Sequence, residues 1–388
     1  MKGKTSNQNS TYGEGSVYQR KDGRWVAKYF ARPGVKPKYL YGSSEADVKR
    51  KLRKLKQSPE TIIHQTPSKV NTGDYFKNWL AVYRKPKIKA STYDRLEAVI
   101  NGTIVPALGE MSIGEVTSQD CQDLINELAE SGKAYSTVKK TYDTLGACFK
   151  HAQLSGDIVY NPMLVVNCPS ASNFENKETR ALTEAEEKRL LEELDRTYAS
   201  SGELIYNYRD AYIVILNTGL RLGEMVALDW EDIDFPNSTM HIRKTAIIVS
   251  KRDKNGKATG RQEQIIQVTP KSKAGNREVP INKKAMAALR RLSEKADGSP
   301  YVLNTKNRNR TYCNTLFRQL ARAYKNCMIP NAGVHTLRHT FATRLFEKGA
   351  DVKDVSVLLG HSGIGITYNT YIHVIKERKD NVVKLLDD

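Results

Sequence analysis

The chain has 388 residues, 39% of them hydrophobic, with 62 Lys and Arg against 43 Asp and Glu, a formal charge of +19. That length supports two or three compact domains with separate cores, and that charge favours a polyanionic partner, nucleic acid first, over an acidic small molecule. Scattered Cys121, Cys148, Cys168, Cys313 and Cys327 exclude a disulfide framework or zinc ribbon, and without a signal-like or membrane-spanning apolar run the expectation is a soluble cytoplasmic protein with no membrane partner.

Residues 1–57 read as a basic module: within residues 1–60, fifteen Lys or Arg stand against five Asp or Glu. Ser16–Gln19, Arg24–Ala31 and Lys38–Tyr41 are short aromatic runs separated by Lys21-Asp22-Gly23 and Pro33-Gly34, a pattern that predicts a small three-stranded β-sheet. Ser44 before Glu45, with Val48, Leu52 and Leu55 at helical spacing, predicts a helix on that sheet. Residues 58–70, with Pro59 and Pro67, form a linker. From 71 to 162 the periodicity is helical: Phe76, Trp79 and Leu80, then Leu96, Val99 and Ile100, then Leu124, Ile125 and Leu128, then Val138, Tyr142, Leu145 and Phe149 predict an all-α four-helix domain. Residues 163–180 make a second linker. The remainder, 181–388, opens on a capping box at Thr183 and Glu186 and mixes helix with strand, an α+β domain. Its expected strands are His241–Val249, Gln264–Thr269 and Glu278–Pro280, and its expected helices centre near 190, 213, 225, 288, 318, 343 and 380.

Three segments of this last domain carry chemistry: Thr218-Gly219-Leu220-Arg221-Leu222-Gly223-Glu224, His335-Thr336-Leu337-Arg338-His339, and Leu359-Gly360-His361 with Tyr371 ten residues on. Their order and spacing resemble the signature of the tyrosine recombinases, the phage integrase family. The resemblance makes Arg221 and Arg338 an arginine pair, His335 and His361 the two histidines, and Tyr371 the nucleophile. A further family element, a lysine on a β-hairpin, matches Ser272-Lys273-Ala274-Gly275 ahead of Arg277-Glu278-Val279-Pro280, so that Lys273 is the choice and Lys271 the second candidate. The implied activity is site-specific recombination through a 3′-phosphotyrosyl intermediate and a Holliday junction, integrating and excising a mobile element.

The residue types suit that chemistry. In-line attack on a phosphodiester builds a second negative charge in the transition state, which fixed cationic donors stabilise. Arginine stays protonated and grips phosphate oxygens with two parallel hydrogen bonds, so neither metal nor cofactor is expected. His335 and Arg338, three residues apart, share a helix face. A tyrosine hydroxyl, with a pKa of about 10, needs help to lose its proton; His335 is the candidate base, Lys273 the general acid for the leaving 5′ oxygen, and His361 a hydrogen-bond donor to the phosphate. Tyr368, three residues upstream, competes with Tyr371. Glu224 reads as a structural partner. The acidic run Asp229, Glu231, Asp232 and Asp234 raises a two-metal nuclease, but reads more simply as a solvated helix end leading into a strand.

The resemblance extends to the other domains. The helical domain looks like a core-binding domain, with Lys85, Lys87, Lys89, Lys133, Lys139, Lys140 and Lys150 as candidate backbone contacts. The first module looks like an arm-type DNA-binding domain, whose sheet would enter a groove with Tyr18, Arg20, Arg24, Lys28, Tyr39 and Tyr41 as candidate contacts; Trp25 and Tyr29 fit a core equally well. The expected partners are double-stranded DNA at core and arm sites, a homotetramer formed on DNA by exchange of a helix over Val374–Leu386, and an excisionase or host DNA-bending protein. A relaxing topoisomerase and a non-catalytic DNA-binding regulator are the alternatives.

Overall fold

The computed structural model describes residues 15–20, 22–29, 37–57, 69–174, 180–268 and 275–377. Residues 58–68 of the linker expected over 58–70, Lys271 and Lys273, and residues 378–386 of the helix expected over Val374–Leu386 lie outside the described residues. The chain divides into two units, Met1–Glu175 and Asn176–Asp388.

In the first unit, β1 (Ser16–Gln19), β2 (Trp25–Tyr29) and β3 (Lys38–Gly42) form an antiparallel sheet in chain order. The helix α1 (Glu45–Gln57), whose first turn is capped by Ser44 accepting from the Asp47 N–H, lays Val48 and Leu52 on Ala27 and Tyr29, with Val17, Trp25 and Leu40 packed around them. Trp25 and Tyr29 therefore belong to the core. Because side chains alternate across a strand, the register pairs Tyr18 with Val26 and Val26 with Tyr41, and Ser16 with Lys28 and Lys28 with Tyr39, all on the opposite face. That face shows Tyr18, Tyr39 and Tyr41 to solvent, with the Arg20 guanidinium 6.0 Å from the Tyr41 ring. Arg24 pairs with Asp22 at 2.8 Å beside the turn.

The helical part of this unit consists of α2 (Thr72–Asn78) continued by a π-turn over Trp79–Arg84, α3 (Ala90–Val99) continued through a π-turn over Ile100–Ile104 into α4 (Val105–Leu108), α5 (Ser118–Glu130) and α6 (Tyr135–Ser155). Phe76, Trp79, Leu80, Ile100, Ile104, Ile125, Leu145 and Phe149 are buried in one cluster, Phe76 meeting Phe149 edge-on at 5.5 Å. Thr117 and Asp120 cap α5 reciprocally, and left-handed Gly156 ends α6.

The second unit holds α7 (Glu184–Leu194), α8 (Arg209–Thr218), α9 (Leu222–Ala227), α10 (Lys283–Glu294), α11 (Cys313–Asn326), α12 (Val334–Glu347), α13 (Val352–Leu359) and α14 (Ile364–Glu377). A small antiparallel sheet runs β4 (Ile233–Asp234), β5 (Thr239–Ile242), β8 (Arg277–Pro280), and β6 (Thr245–Arg252) pairs with β7 (Ala258–Gln267) as a separate ribbon. The fold is thus a small sheet with a helix, an all-α bundle and a mixed α+β unit, as the composition of elements implies. Among the described residues no helix is long and apolar enough to cross a membrane.

Two local expectations are corrected. The run His241–Val249, expected as one strand, is split between β5 and β6 because Arg243 and Lys244 turn towards acids: Arg243 pairs with Asp232 at 2.7 Å and Glu231 at 2.5 Å, and Lys244 with Asp229 and with Asp232 at 3.0 Å. Arg310 completes the cluster on Asp229 at 2.5 Å. Within the acidic run Asp229 and Asp232 turn inward into ion pairs, the Asp232 side chain fully buried, whereas Glu231 and Asp234 are exposed where a short turn leads into β4, as a solvated end would be. Among the described residues no group of three or more His, Cys, Asp or Glu could hold a metal ion. The second correction is α13, a helix absent from the expected set: Asp351 caps its start by accepting from the Lys353 N–H at 2.7 Å and left-handed Gly360 ends it.

Gly223 lets α9 lie against β6. A Cβ there would stand 2.4 Å from the Ala246 carbonyl oxygen and 2.7 Å from Thr245 Oγ1. Gly223→Ala is expected to cost about 1–3 kcal/mol by overpacking, read as a lower urea midpoint at constant m-value.

Candidate active site

Two helix ends and one carboxylate build the site. α8 and α13 both stop at glycines in the left-handed region, Gly219 at φ +68° and Gly360 at φ +64°, leaving backbone carbonyls pointing beyond the last turn. Arg338, buried on α12, spends Nη1 on the Gly219 carbonyl at 2.8 Å and Nη2 on the Leu359 carbonyl at 2.5 Å. Burial, then the nearby Arg221 charge, pull its pKa down to about 9, so it still carries its proton at pH 7. A side chain at position 219 would collide with Phe341 at 2.5 Å and Leu359 at 2.9 Å, so the residue that supplies Arg338 with an acceptor is constrained to glycine twice, by φ and by space.

Arg221 stands in extended conformation just before α9. Its backbone N–H donates to Glu224 Oε2 at 2.9 Å and its Nη1 to Oε1 at 2.8 Å, while Nη2 reaches the Gly360 carbonyl at 3.5 Å. The same carboxylate accepts two bonds from buried Arg277, at 3.2 and 3.0 Å, and Arg277 Nε donates to the Leu358 carbonyl at 2.7 Å. One buried acid therefore orients two guanidiniums, and Arg277 ties β8 to the end of α13.

Three histidines complete the surroundings. His361 follows the Gly360 cap, and its Nδ1 lies 2.7 Å from Thr367 Oγ1 on α14; burial and then the Arg338 and Arg221 charges bring its pKa down to about 4. His335, in the first turn of α12, opens to solvent on one side; the protein backing its ring, then the Arg338 and Arg221 charges, hold it below the usual histidine value. His339, one turn on, is drawn down to about 4 by burial and then by His335 and Arg338. The lowered values favour neutral imidazoles at pH 7 beside the protonated Arg338.

Tyr371 lies at a break in α14, with φ −115° and ψ 15° between helical neighbours. Its ring packs on Phe346 at 5.2 Å and against Ala342, Val355 and Leu359, leaving it 3% exposed. Its hydroxyl meets His339 Nδ1 at 2.8 Å. Burial pushes the phenol up to about 12 against the lowering pull of Arg338.

The phage integrase family matches the sequence over residues 180–378, and the N-terminal SAM-like domain of phage integrases matches over 73–129. The chain belongs to the phage integrase family. It is a tyrosine recombinase, an enzyme that cleaves and rejoins DNA strands, of the phage and transposon integrase type. A tyrosine recombinase XerC-like protein of Caldanaerobacter subterraneus is 28% identical over 369 residues, 90% of this chain and 91% of its own length. The transposase from transposon Tn916 of Enterococcus faecalis is 26% identical over 387 residues, 92% of this chain and 90% of its own. Solved structures share the fold: the Tn1549 transposon integrase in complex with a circular intermediate DNA has a TM-score of 0.65 at 21% identity, covering 81% of this chain and 99% of that one. A lambda integrase tetramer bound to a Holliday junction has a TM-score of 0.58 at 19% identity, covering 89% and 95%.

Of the residues singled out in this recombinase by sequence, Arg221 before α9, His335 and Arg338 on the first turns of α12 and His361 after α13 lie near one another, with Tyr371 at the break in α14 next to Arg338. Tyr368 is half-exposed three residues before the break. On the helical part, Lys85 and Lys87 are exposed, Lys85 over the Tyr93 ring at 5.7 Å; Lys89, Lys139 and Lys140 are half-buried, and Lys139 pairs with Asp143. Lys133 and Lys150 are exposed. Sequence reasoning missed Arg277, Thr367 and His339. Arg277 had a signal, an arginine in a short strand beside Val279; the other two are defined only by what they touch across the fold.

Proposed function

We propose that this recombinase is the integrase of a mobile element, joining and releasing DNA at a core site through a 3′-phosphotyrosyl bond to Tyr371. The observation that carries the reading is that Arg221 and Arg338 are both held on the carbonyl ends of α8 and α13, close enough for their charges to interact, with Arg338 also near Tyr371. Both guanidiniums face the non-bridging oxygens of a scissile phosphate and stabilise the charge that attack by Tyr371 builds. His335 and His361 hydrogen-bond the same phosphate, and Lys273 protonates the departing 5′ oxygen. The linkage keeps the free energy of the broken phosphodiester, so a second 5′ hydroxyl reverses it without cofactor or metal.

The helical part, with Lys85, Lys87, Lys89, Lys139 and Lys140, contacts the core duplex backbone, and the tyrosine face of the sheet, with Tyr18, Arg20, Lys28, Tyr39 and Tyr41, contacts an arm site; Arg24 stands at the edge of that face. Domain limits at 1–57, 71–162 and 181–388 follow. Like the lambda integrase tetramer on a Holliday junction, four copies work together on DNA, with an excisionase or a host bending protein setting direction, in the cytoplasm. The test uses a core site selected from a random-sequence duplex library by binding to the full chain, then rebuilt with a nick that lets the cleaved fragment escape. A covalent adduct is expected with the wild type and Tyr368→Phe and none with Tyr371→Phe; an adduct persisting in Tyr371→Phe overturns the assignment.

A further inference from the structure

The sequence placed the proton acceptor for the nucleophile at His335, yet the Tyr371 hydroxyl lies against a different imidazole, Nδ1 of His339 at 2.8 Å, with the rings 5.5 Å apart at 49°. We infer that His339 is a catalytic residue of the strand-cleavage step, the base that accepts the Tyr371 proton. The inference rests on Tyr371 being the nucleophile.

His339 sits one residue after Arg338 and one helical turn after His335, so the groups that bind the phosphate and the group that deprotonates the attacker share two turns of α12. His339 is half-buried, and its neighbours His335 and Arg338 both oppose its protonation before reaction. A neutral ring with its proton on Nε2 leaves Nδ1 free to accept. Thr367 makes the parallel bond to His361 from the same helix that carries Tyr371. α14 is thereby fixed to the site at two points, and His339 is the one that touches the reacting oxygen.

The Tyr371 O–H bond breaks and its proton passes to His339 Nδ1 as the tyrosine oxygen bonds to phosphorus; the bond from phosphorus to the 5′ oxygen breaks, and that oxygen takes a proton from the general acid proposed at Lys273. On rejoining, a 5′ hydroxyl gives its proton back to the now neutral Lys273 as its oxygen bonds to phosphorus, the bond from phosphorus to the tyrosine oxygen breaks, and His339 returns its proton to that oxygen. The scissile phosphate brings a negative charge next to His339, favouring the imidazolium at the moment it forms.

The test compares His339→Asn, whose side-chain oxygen replaces Nδ1 as an acceptor without basicity, with His339→Ala and with His339→Gln, whose amide extends towards the Nε2 position. Single-turnover cleavage of the nicked core-site duplex is measured from pH 5.5 to 9, alongside DNA affinity and thermal unfolding. All three variants are expected to bind DNA and unfold as the wild type does and to cleave about 10²–10⁴-fold more slowly. In His339→Asn the logarithm of the rate should rise with unit slope in pH, because hydroxide must then supply the phenolate, whereas the wild type levels off. A substrate with sulfur in place of the scissile 5′ oxygen, which leaves without protonation, should not restore these variants. Wild-type rates and pH profile in His339→Asn with slow His339→Ala would reduce His339 to a positioning residue and overturn the inference; rescue by the sulfur substrate would overturn it too. Loss of the adduct in Tyr371→Phe with retention in every His339 variant separates failure of this inference from failure of the nucleophile assignment.

Discussion

Glu224→Gln is expected to lower the stability of the second unit by about 3–5 kcal/mol, a large part of the roughly 5–15 kcal/mol that holds a domain together, and to abolish cleavage as well. Glu224 and Arg277 have side chains only 6% and 5% exposed, so the carboxylate is what compensates a buried guanidinium. An amide offers one acceptor where two are used, and turns its NH2 towards a cation. Burial pushes the Glu224 carboxyl up, but the hydrogen bonds and charge of Arg277, with the charge of Arg221, outweigh it and hold the group below the usual carboxylate range. A depressed folded value means that the stabilisation is present above the unfolded value of about 4.3 and is lost as pH falls through the folded value. Urea midpoints at pH 7 and pH 3.5 check both points: the gap between wild type and Glu224→Gln should shrink at the lower pH. Replacing both Glu224 and Arg277 by Met should restore the midpoint without restoring cleavage, because Arg221 would still lack its anchor. An unchanged midpoint in Glu224→Gln would falsify this account.

Arg338→Lys should retain the fold and slow cleavage by about 10²–10³-fold, the typical loss when one transition-state donor is removed. The two carbonyls that hold Arg338 are neutral, so its stabilisation comes from hydrogen bonds made in a fixed fork, which an ammonium cannot reproduce. A buried lysine also sheds its proton readily, since desolvation disfavours the charged form. The rate of covalent adduct formation at saturating protein measures the effect, and affinity for the duplex should change far less than the rate. A loss confined to affinity would place Arg338 in binding rather than in the chemistry.

Much of this architecture was legible because it depends on local pattern. Aromatic strands between glycine turns announced the small sheet, and apolar recurrence announced the helices around Phe76 and Phe149. The arginines and Tyr371 were found through short motifs whose order survives along the chain. What escaped depends on contacts distant in sequence. Nothing adjacent to His339 says that its ring will meet residue 371, and nothing in the alternation from His241 to Val249 says that Arg243 will leave the strand to reach Asp232. α13 was not among the expected helices, although Asp351 and Gly360 mark its start and stop; its three valines are poor helix formers.

The ion pairs joining Asp229 and Asp232 to Lys244 and Arg310 bear on how the protein answers ionic strength. Their side chains are 0–17% exposed, so mobile ions hardly enter the short gaps between them, even though the screening length falls from about 10 Å at 0.1 M to about 3 Å at 1 M salt. Contacts to DNA phosphates behave oppositely: six to ten of them lose about 10³–10⁵ in affinity between 50 and 200 mM as released counterions compete. Salt therefore dissociates the enzyme from its duplex long before it loosens the unit that holds the active site, and occupancy of DNA, rather than folding, is the quantity that a changing ionic environment controls.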